Sequence, residues 1–260
     1  MQNKIKTKSK SSNLQEWQSF LFIVFLALII RILVMELFFV PSPSMQATIL
    51  ENEYIFSTKY SYGYSNYSLP FSPKIFEGRI FAKMPQRGDI IVFRPPHNMD
   101  IRYIKRLIGL PGDKIQLIND IIYINDKKIE RKQIGSYISE QNQKYIKFEE
   151  RLPNDVVYFS YKLDRPNDRM TNKYGNTEIF CVPTGKYFFL GDNRDESRDS
   201  RVDLGFVPFE NFIAKGQFIL FSTQQKLWIE NISLLEQLKR VATWLPSIRV
   251  NRIFKSLYTQ

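Results

Sequence analysis

A chain of 260 residues, 43% hydrophobic and 24% charged, has the composition of a folded protein, and 11 glycines and 13 prolines exclude collagen-like or low-complexity sequence. The single cysteine, Cys181, excludes an internal disulfide; with the single histidine, His97, it also excludes a zinc site of the usual Cys/His kind. The 37 basic against 26 acidic residues, a net charge of +11, suit an anionic membrane surface, nucleic acid or nothing more than solubility, and no zinc finger, basic zipper or RNA-binding signature accompanies them.

The first element is membrane-like. From Trp17 to Val40 the chain reads WQSFLFIVFLALIIRILVMELFFV, with an uninterrupted apolar core from Phe20 to Ile30. That core is short for a bilayer, and continuing through Arg31 to Met35 supplies the missing length while the arginine snorkels to the headgroups. No small-x-small cleavage site follows, so the segment is expected to be an uncleaved anchor spanning 17–40. Lys4, Lys6, Lys8 and Lys10 precede it, and neither Lys nor Arg occurs between Arg31 and Lys59. The positive-inside bias then places a basic N-terminus, 1–16, in the cytoplasm and residues 41–260 outside.

Pro41-Ser42-Pro43-Ser44-Met45 follows at once, and its two prolines hold Ser42 and Ser44 in a preset backbone. A serine nucleophile needs a base. An aromatic and polar stretch, 60–76, suggests a hairpin or loop that either packs or faces the membrane. Beyond it, apolar runs rich in Ile, Val, Tyr and Phe alternate with turn residues: DIIVFRPP (89–96), IRYIKRLIGLPGDKI (101–115), IIYINDKKI (121–129), VVYFSYKL (156–163), KYFFLGDN (186–193) and FIAKGQFILF (212–221). With turns at Pro111-Gly112-Asp113 and Asn125-Asp126, these predict a mainly β body of antiparallel hairpins. His97 reads as a turn residue, which disfavours a Ser/His/Asp triad. Lys105 lies in a strand with Ile101, Tyr103 and Leu107 on its face; apolar neighbours lower a lysine's pKa and make it a general base. A charged, Asn-rich insertion is expected over about 131–178. In GDNRDESRDSR (191–201) the start suits a tight turn, and Asp192 and Asp199 can pair with Arg106 and Arg201 to brace the Lys105 strand. The basic tail, 234–260, has helical spacing broken at Pro246 and suits either a membrane surface or an ordinary surface helix.

PSPSM, RGDIIVF (87–93), YIKRLIGLPGDKI (103–115) and GDNRDESRDSR occur in this order behind the apolar segment. Together they resemble the bacterial type I signal peptidases, membrane-bound endopeptidases with a Ser/Lys dyad, over residues 15 to about 221. The resemblance implies a mainly β fold, an N-terminal transmembrane helix followed by an antiparallel β catalytic domain. It implies Ser44 as nucleophile, Lys105 as base, Ser42 as an oxyanion-hole donor and Ser197 as the serine that orients the lysine. Val40, Pro41, Met45, Ile49, Tyr103 and Ile104 match positions that shape small pockets for the −1 and −3 residues of a signal peptide. The expected partners are preproteins with signal peptides and membrane phospholipid, not nucleic acid; neither metal nor cofactor is implied, and a monomer is expected. The expected location is the bacterial plasma membrane, single-pass, with the catalytic domain on the periplasmic side.

The chain departs from that family in carrying Ala47 where proline is usual, which is expected to loosen the turn after the nucleophile, and Ile49 where leucine is usual. It has one membrane segment where many relatives have two. A self-cleaving Ser/Lys regulator would need a DNA-binding domain where the anchor stands. A tethered scaffold without activity is opposed by Ser42, Ser44, Lys105 and Ser197 standing together.

Overall fold

A computed structural model describes residues 9–139, 142–164, 174–227, 229 and 232–258; Lys4, Lys6, Lys8 and part of the expected insertion, 165–173, lie outside them. Helix α1 (Ser9–Ile29) runs on through one π-helical turn, Ile30–Val34. Within this rod Gln15–Val34 has a mean hydropathy of 2.3 and no buried residue. Twenty residues at about 1.5 Å each span about 30 Å, the thickness of a bilayer's hydrocarbon layer.

The helix ends sooner than the expected anchor. Met35 turns to extended backbone (φ −139°, ψ 157°), and Met35–Val40 form strand β1. The cause is side-chain alternation: Phe38 and Val40 are drawn into the core while Leu37 faces out. Strand β1 pairs with β2 (Glu53–Thr58) from Met35↔Thr58 to Val40↔Glu53.

The remaining strands are β3 (Ile90–Phe93), β4 (Tyr103–Gly109), β5 (Lys114–Ile118), β6 (Ile121–Ile124), β7 (Lys127–Lys128), β8 (Glu130–Ile138), β9 (Lys144–Arg151), β10 (Val157–Leu163), β11 (Phe180–Cys181), β12 (Lys186–Leu190), β13 (Val207–Pro208) and β14 (Phe212–Ser222). They form an antiparallel seven-stranded sheet in the order β1-β2-β14-β3-β4-β12-β13, a four-stranded sheet β11-β5-β6-β7 and a three-stranded sheet β10-β9-β8. The predominantly β body read from the sequence is thus observed. Gly112 at φ 89° follows Pro111 in the expected turn, and Asn125 and Asp126, both at positive φ, make the tight hairpin between β6 and β7. The stretch expected as an insertion supplies β8, β9 and β10, a sheet in its own right.

One core cluster joins distant segments: Val40 from β1, Met45 and Ile49 beyond it, Ile55, Ile90, Ile219 and Leu257 near the C-terminus. Helix α2 (Leu234–Ser247) opens with a capping box between Ser233 and Glu236 and runs past Pro246, which stands in its last turn, so the break expected there falls one residue later. After it the chain returns along β14: Phe254 N–H donates to Ile219 O, Ile219 N–H to Lys255 O and Leu257 N–H to Gln217 O.

Candidate active site

Ser44 owes its position to a short, heavily restrained turn. Strand β1 stops at Val40, Ser42 is extended (φ −131°, ψ 150°), and Pro43–Met45 make a single 3₁₀ turn. Gln46 N–H donates to Pro43 O at 2.9 Å, while Thr48 and Ile49 N–H share Met45 O at 2.8 and 2.7 Å. Met45 and Ile49 bolt this turn to the core. The looseness expected from Ala47 is countered from outside, because Ala47 packs against the cluster of Tyr145, Tyr161 and Leu163 on β9 and β10.

Lys105 comes from β4, which is hydrogen-bonded to β3 on one side and β12 on the other, so its backbone is held rigidly. The side chain is 4% exposed. Its Nζ donates to Ser44 Oγ at 2.5 Å and to Ile104 O at 3.1 Å, and stands 5.3 Å from the centre of the Tyr103 ring. Burial lowers its pKa from 10.5 to about 8, against the opposing pull of the Asp199 and Asp192 charges. Ser42 Oγ lies 3.2 Å from Ser44 Oγ. His97 is exposed in the turn after β3, its ring edge-on to Tyr103, and the group that bonds Ser44 Oγ is a lysine.

Ser197 is near but differently engaged than expected. Its Oγ is buried beside the Asp199 carboxylate, which it helps to hold in the charged form, and it makes no hydrogen bond to Lys105. The closeness is nevertheless enforced: a Cβ on Gly191 would fall 2.2 Å from Ser197 Oγ and 2.5 Å from Ser44 O, a space that only glycine leaves open. Asn193 N–H also donates to Ser44 O at 3.1 Å, fastening this loop to the serine turn.

Two ion pairs anticipated from the sequence are present. Arg106 grips Asp192 with two bonds, Nε–Oδ1 at 2.8 Å and Nη2–Oδ2 at 2.6 Å, and Arg201 grips Asp199 likewise at 2.9 and 2.8 Å. Three further groups were not foreseen. Thr48 Oγ donates to Asp192 Oδ2 at 2.5 Å, linking the serine turn to the Arg106 pair. Glu150 on β9 holds Arg194 through both carboxylate oxygens and accepts from Tyr158 and Ser160. Burial would raise the Glu150 carboxyl, but Arg194 and Arg131 keep it below the usual carboxylate range. Arg252 holds Glu53 and donates to Thr48 O at 2.8 Å. Nothing in KYIKFEER sets Glu150 apart from Glu149, and Arg252 looks like any other cation of a basic tail.

The six expected pocket residues divide by depth. Val40, Met45 and Ile49 are buried, so they form the floor beneath the turn, with Ile104 packed against them. Tyr103 and Ile104 are partly exposed beside Lys105, and Pro41 is exposed at the end of β1.

Residues 14–221 match the family model described as signal peptidase, peptidase S26. The chain is 63% identical to signal peptidase I of Rickettsia canadensis (strain McKiel) over 99% of this chain and 98% of the relative. It is 63% identical to signal peptidase I of Rickettsia massiliae (strain Mtu5) over 97% of this chain and 96% of the relative. A crystal structure of a signal peptidase I from Enterococcus faecalis V583 matches with 31% identity and a TM-score of 0.32, covering 51% of this chain and 97% of that one. With a family model spanning most of its length and relatives of this identity end to end, the chain belongs to the signal peptidase family, peptidase S26.

Proposed function

We propose that this chain is a single-pass membrane enzyme that removes signal peptides from exported preproteins, with Ser44 as nucleophile and Lys105 as its general base. The observation that carries the proposal is the 2.5 Å contact between Lys105 Nζ and Ser44 Oγ inside a buried site. When Lys105 is neutral the same contact runs the other way, with the hydroxyl donating to the amine. Ser44 Oγ then attacks the scissile carbonyl while its proton passes to Nζ. The oxyanion that develops is stabilised by the Ser44 N–H and the Ser42 hydroxyl, each such donor typically worth about 3 kcal/mol. Lys105 returns the proton to the leaving amine of the mature protein, which frees the acyl-enzyme. A water activated by the same amine then hydrolyses the ester.

Small pockets beside Tyr103, Ile104 and Pro41, floored by Val40, Met45 and Ile49, select small residues at −1 and −3 by excluding larger ones. Ser197, buried beside the serine turn, is assigned to steady Lys105 once its ammonium forms in the catalytic cycle. The apolar rod Gln15–Val34 anchors the enzyme with its N-terminus in the cytoplasm. The loop at the exit of the rod rests on lipid: Tyr64 Oη donates to Leu33 O at 2.6 Å, and Phe71, Ile75, Phe81 and Met84 are exposed nearby in sequence. The preprotein reaches Ser44 while its signal helix is still in the bilayer. The test is cleavage of a purified preprotein by the full chain in detergent, with Ser44→Ala beside it. Processing by the wild type and none by the variant is expected; equal processing overturns the assignment.

A further inference from the structure

Helix α2 is amphipathic, and it is attached to the body by the wrong side. Leu234, Leu238, Val241 and Leu245 recur at the spacing that makes one stripe along a helix. A surface helix normally turns such a stripe to the core. Here Leu234, Leu238 and Leu245 are 73%, 62% and 77% exposed. The attachment is made along the flank of the helix and not by the stripe. Gln237 is buried and donates to Leu227 O at 3.2 Å, Arg240 donates to Lys226 O at 2.9 Å, and Ser247 is buried at the end of the helix. Leu235, Val250 and Phe254 enlarge the outward apolar surface, and Lys239 and Lys255 are exposed beside it.

The place of α2 in the fold says what covers that stripe. Its C-terminal end is stitched to the end of β14 by Gln224 N–H to Ser247 O and Arg249 N–H to Ser222 O. Ser222 pairs with Glu53, and Glu53 with Val40, four residues before Ser44. Strand β1 therefore has the exit of the membrane rod at its Met35 end and the root of α2 at its Val40 end, and it is itself the edge of the sheet with Leu37 outward. Strand β1 is only six residues long, so the root of α2 lies within one strand length, about 20 Å, of the exit of the rod. An exposed apolar stripe with cations at the surface around it, Lys239 on the helix and Lys255 after it, is the composition of a segment that lies in a membrane interface. The span fixes the body to the membrane, so docking is intramolecular and requires little intrinsic affinity.

We infer that α2 lies in the plane of the membrane, its Leu234–Leu238–Val241–Leu245 stripe in the lipid and Lys239 and Lys255 against anionic headgroups, as a further contact, besides the span and the loop at its exit, that holds the Ser44 end of the sheet on the bilayer. This inference rests on the membrane-anchored reading above. The test uses the full chain with Cys181→Ser, reconstituted in vesicles of mixed zwitterionic and anionic phospholipid, and single labels introduced by Leu238→Cys, Thr243→Cys or Leu26→Cys. The Leu238 label should lose quenching by a water-soluble quencher and gain it from a lipid-borne one. The Thr243 label should remain open to the aqueous quencher, and the Leu26 label should report lipid. A Leu238 label as open to water as that at Thr243, with Leu26 in lipid, overturns the docking of α2 alone. Shielding of Leu238 from both quenchers also overturns it, since a second protein copy then covers the stripe. A water-exposed Leu26 label overturns the anchored reading, and the inference with it.

Discussion

A lysine inside a central strand is an expensive residue, because burial disfavours the ammonium and a strand side chain cannot swing out to water. Lys105 tolerates the position because its amine has Ser44 Oγ and Ile104 O as partners, and the pKa that burial depresses suits it to accept a proton. Ser44→Ala and Lys105→Met should each reduce preprotein processing to background, and the double variant should be no worse, since neither group works without the other. Additive losses in steady-state kinetics would separate the two residues functionally. Ser42→Ala should lower kcat by roughly 10²–10³ and leave measurable activity, because the Ser44 N–H still faces the oxyanion. A loss as complete as that of Ser44→Ala would give Ser42 another role. The serine and the lysine were legible because each sits in a distinctive block, PSPSM and YIKRLIGLPGDKI. The setting of Ser197 was not, since its closeness to the serine turn depends on how tightly Gly191 lets two loops approach.

The three-stranded sheet is the element whose purpose the sequence concealed. Its charged, polar surface reads as an insertion, yet Glu150 and Tyr158 hold Arg194, and the tyrosines beyond them pack on Ala47. The sheet thus buttresses both loops that meet at Ser44. The reason it was not legible is distance along the chain: Glu150 and Arg194 are 44 residues apart, and only folding shows which of two adjacent glutamates turns inward. Breaking such a buried pair by removing one partner leaves an uncompensated charge, so Glu150→Ala should cost about 3–5 kcal/mol of stability in urea unfolding. A change of a few tenths would mean that the pair does not brace the loop.

At the scale of the molecule, an apolar rod leads without a linker into the edge strand of the catalytic sheet, so a single six-residue strand separates the end of the rod from the serine turn. The apolar rod was readable from hydropathy, but its end was not. MELFFV is apolar enough to continue a helix, and only pairing with β2 draws it into a strand. The tail was half readable: its amphipathic pattern marked α2, while the return of Leu257 into the core beside Met45 has no local signal. On the orientation proposed from the lysines before the rod, protease added outside spheroplasts should digest the body and leave a short anchor fragment. A body digested only after lysis would reverse the orientation.

The most direct test of the central claim, that a neutral lysine activates the serine, is the pH dependence of kcat/KM. The active form of Lys105 is the deprotonated one, so activity should rise with pH through its folded-state pKa, and the limb should lie near about 8. The profile of His97→Ala should coincide with that of the wild type. A limb displaced to the ordinary lysine value of 10.5, or loss of activity in His97→Ala, would contradict the mechanism.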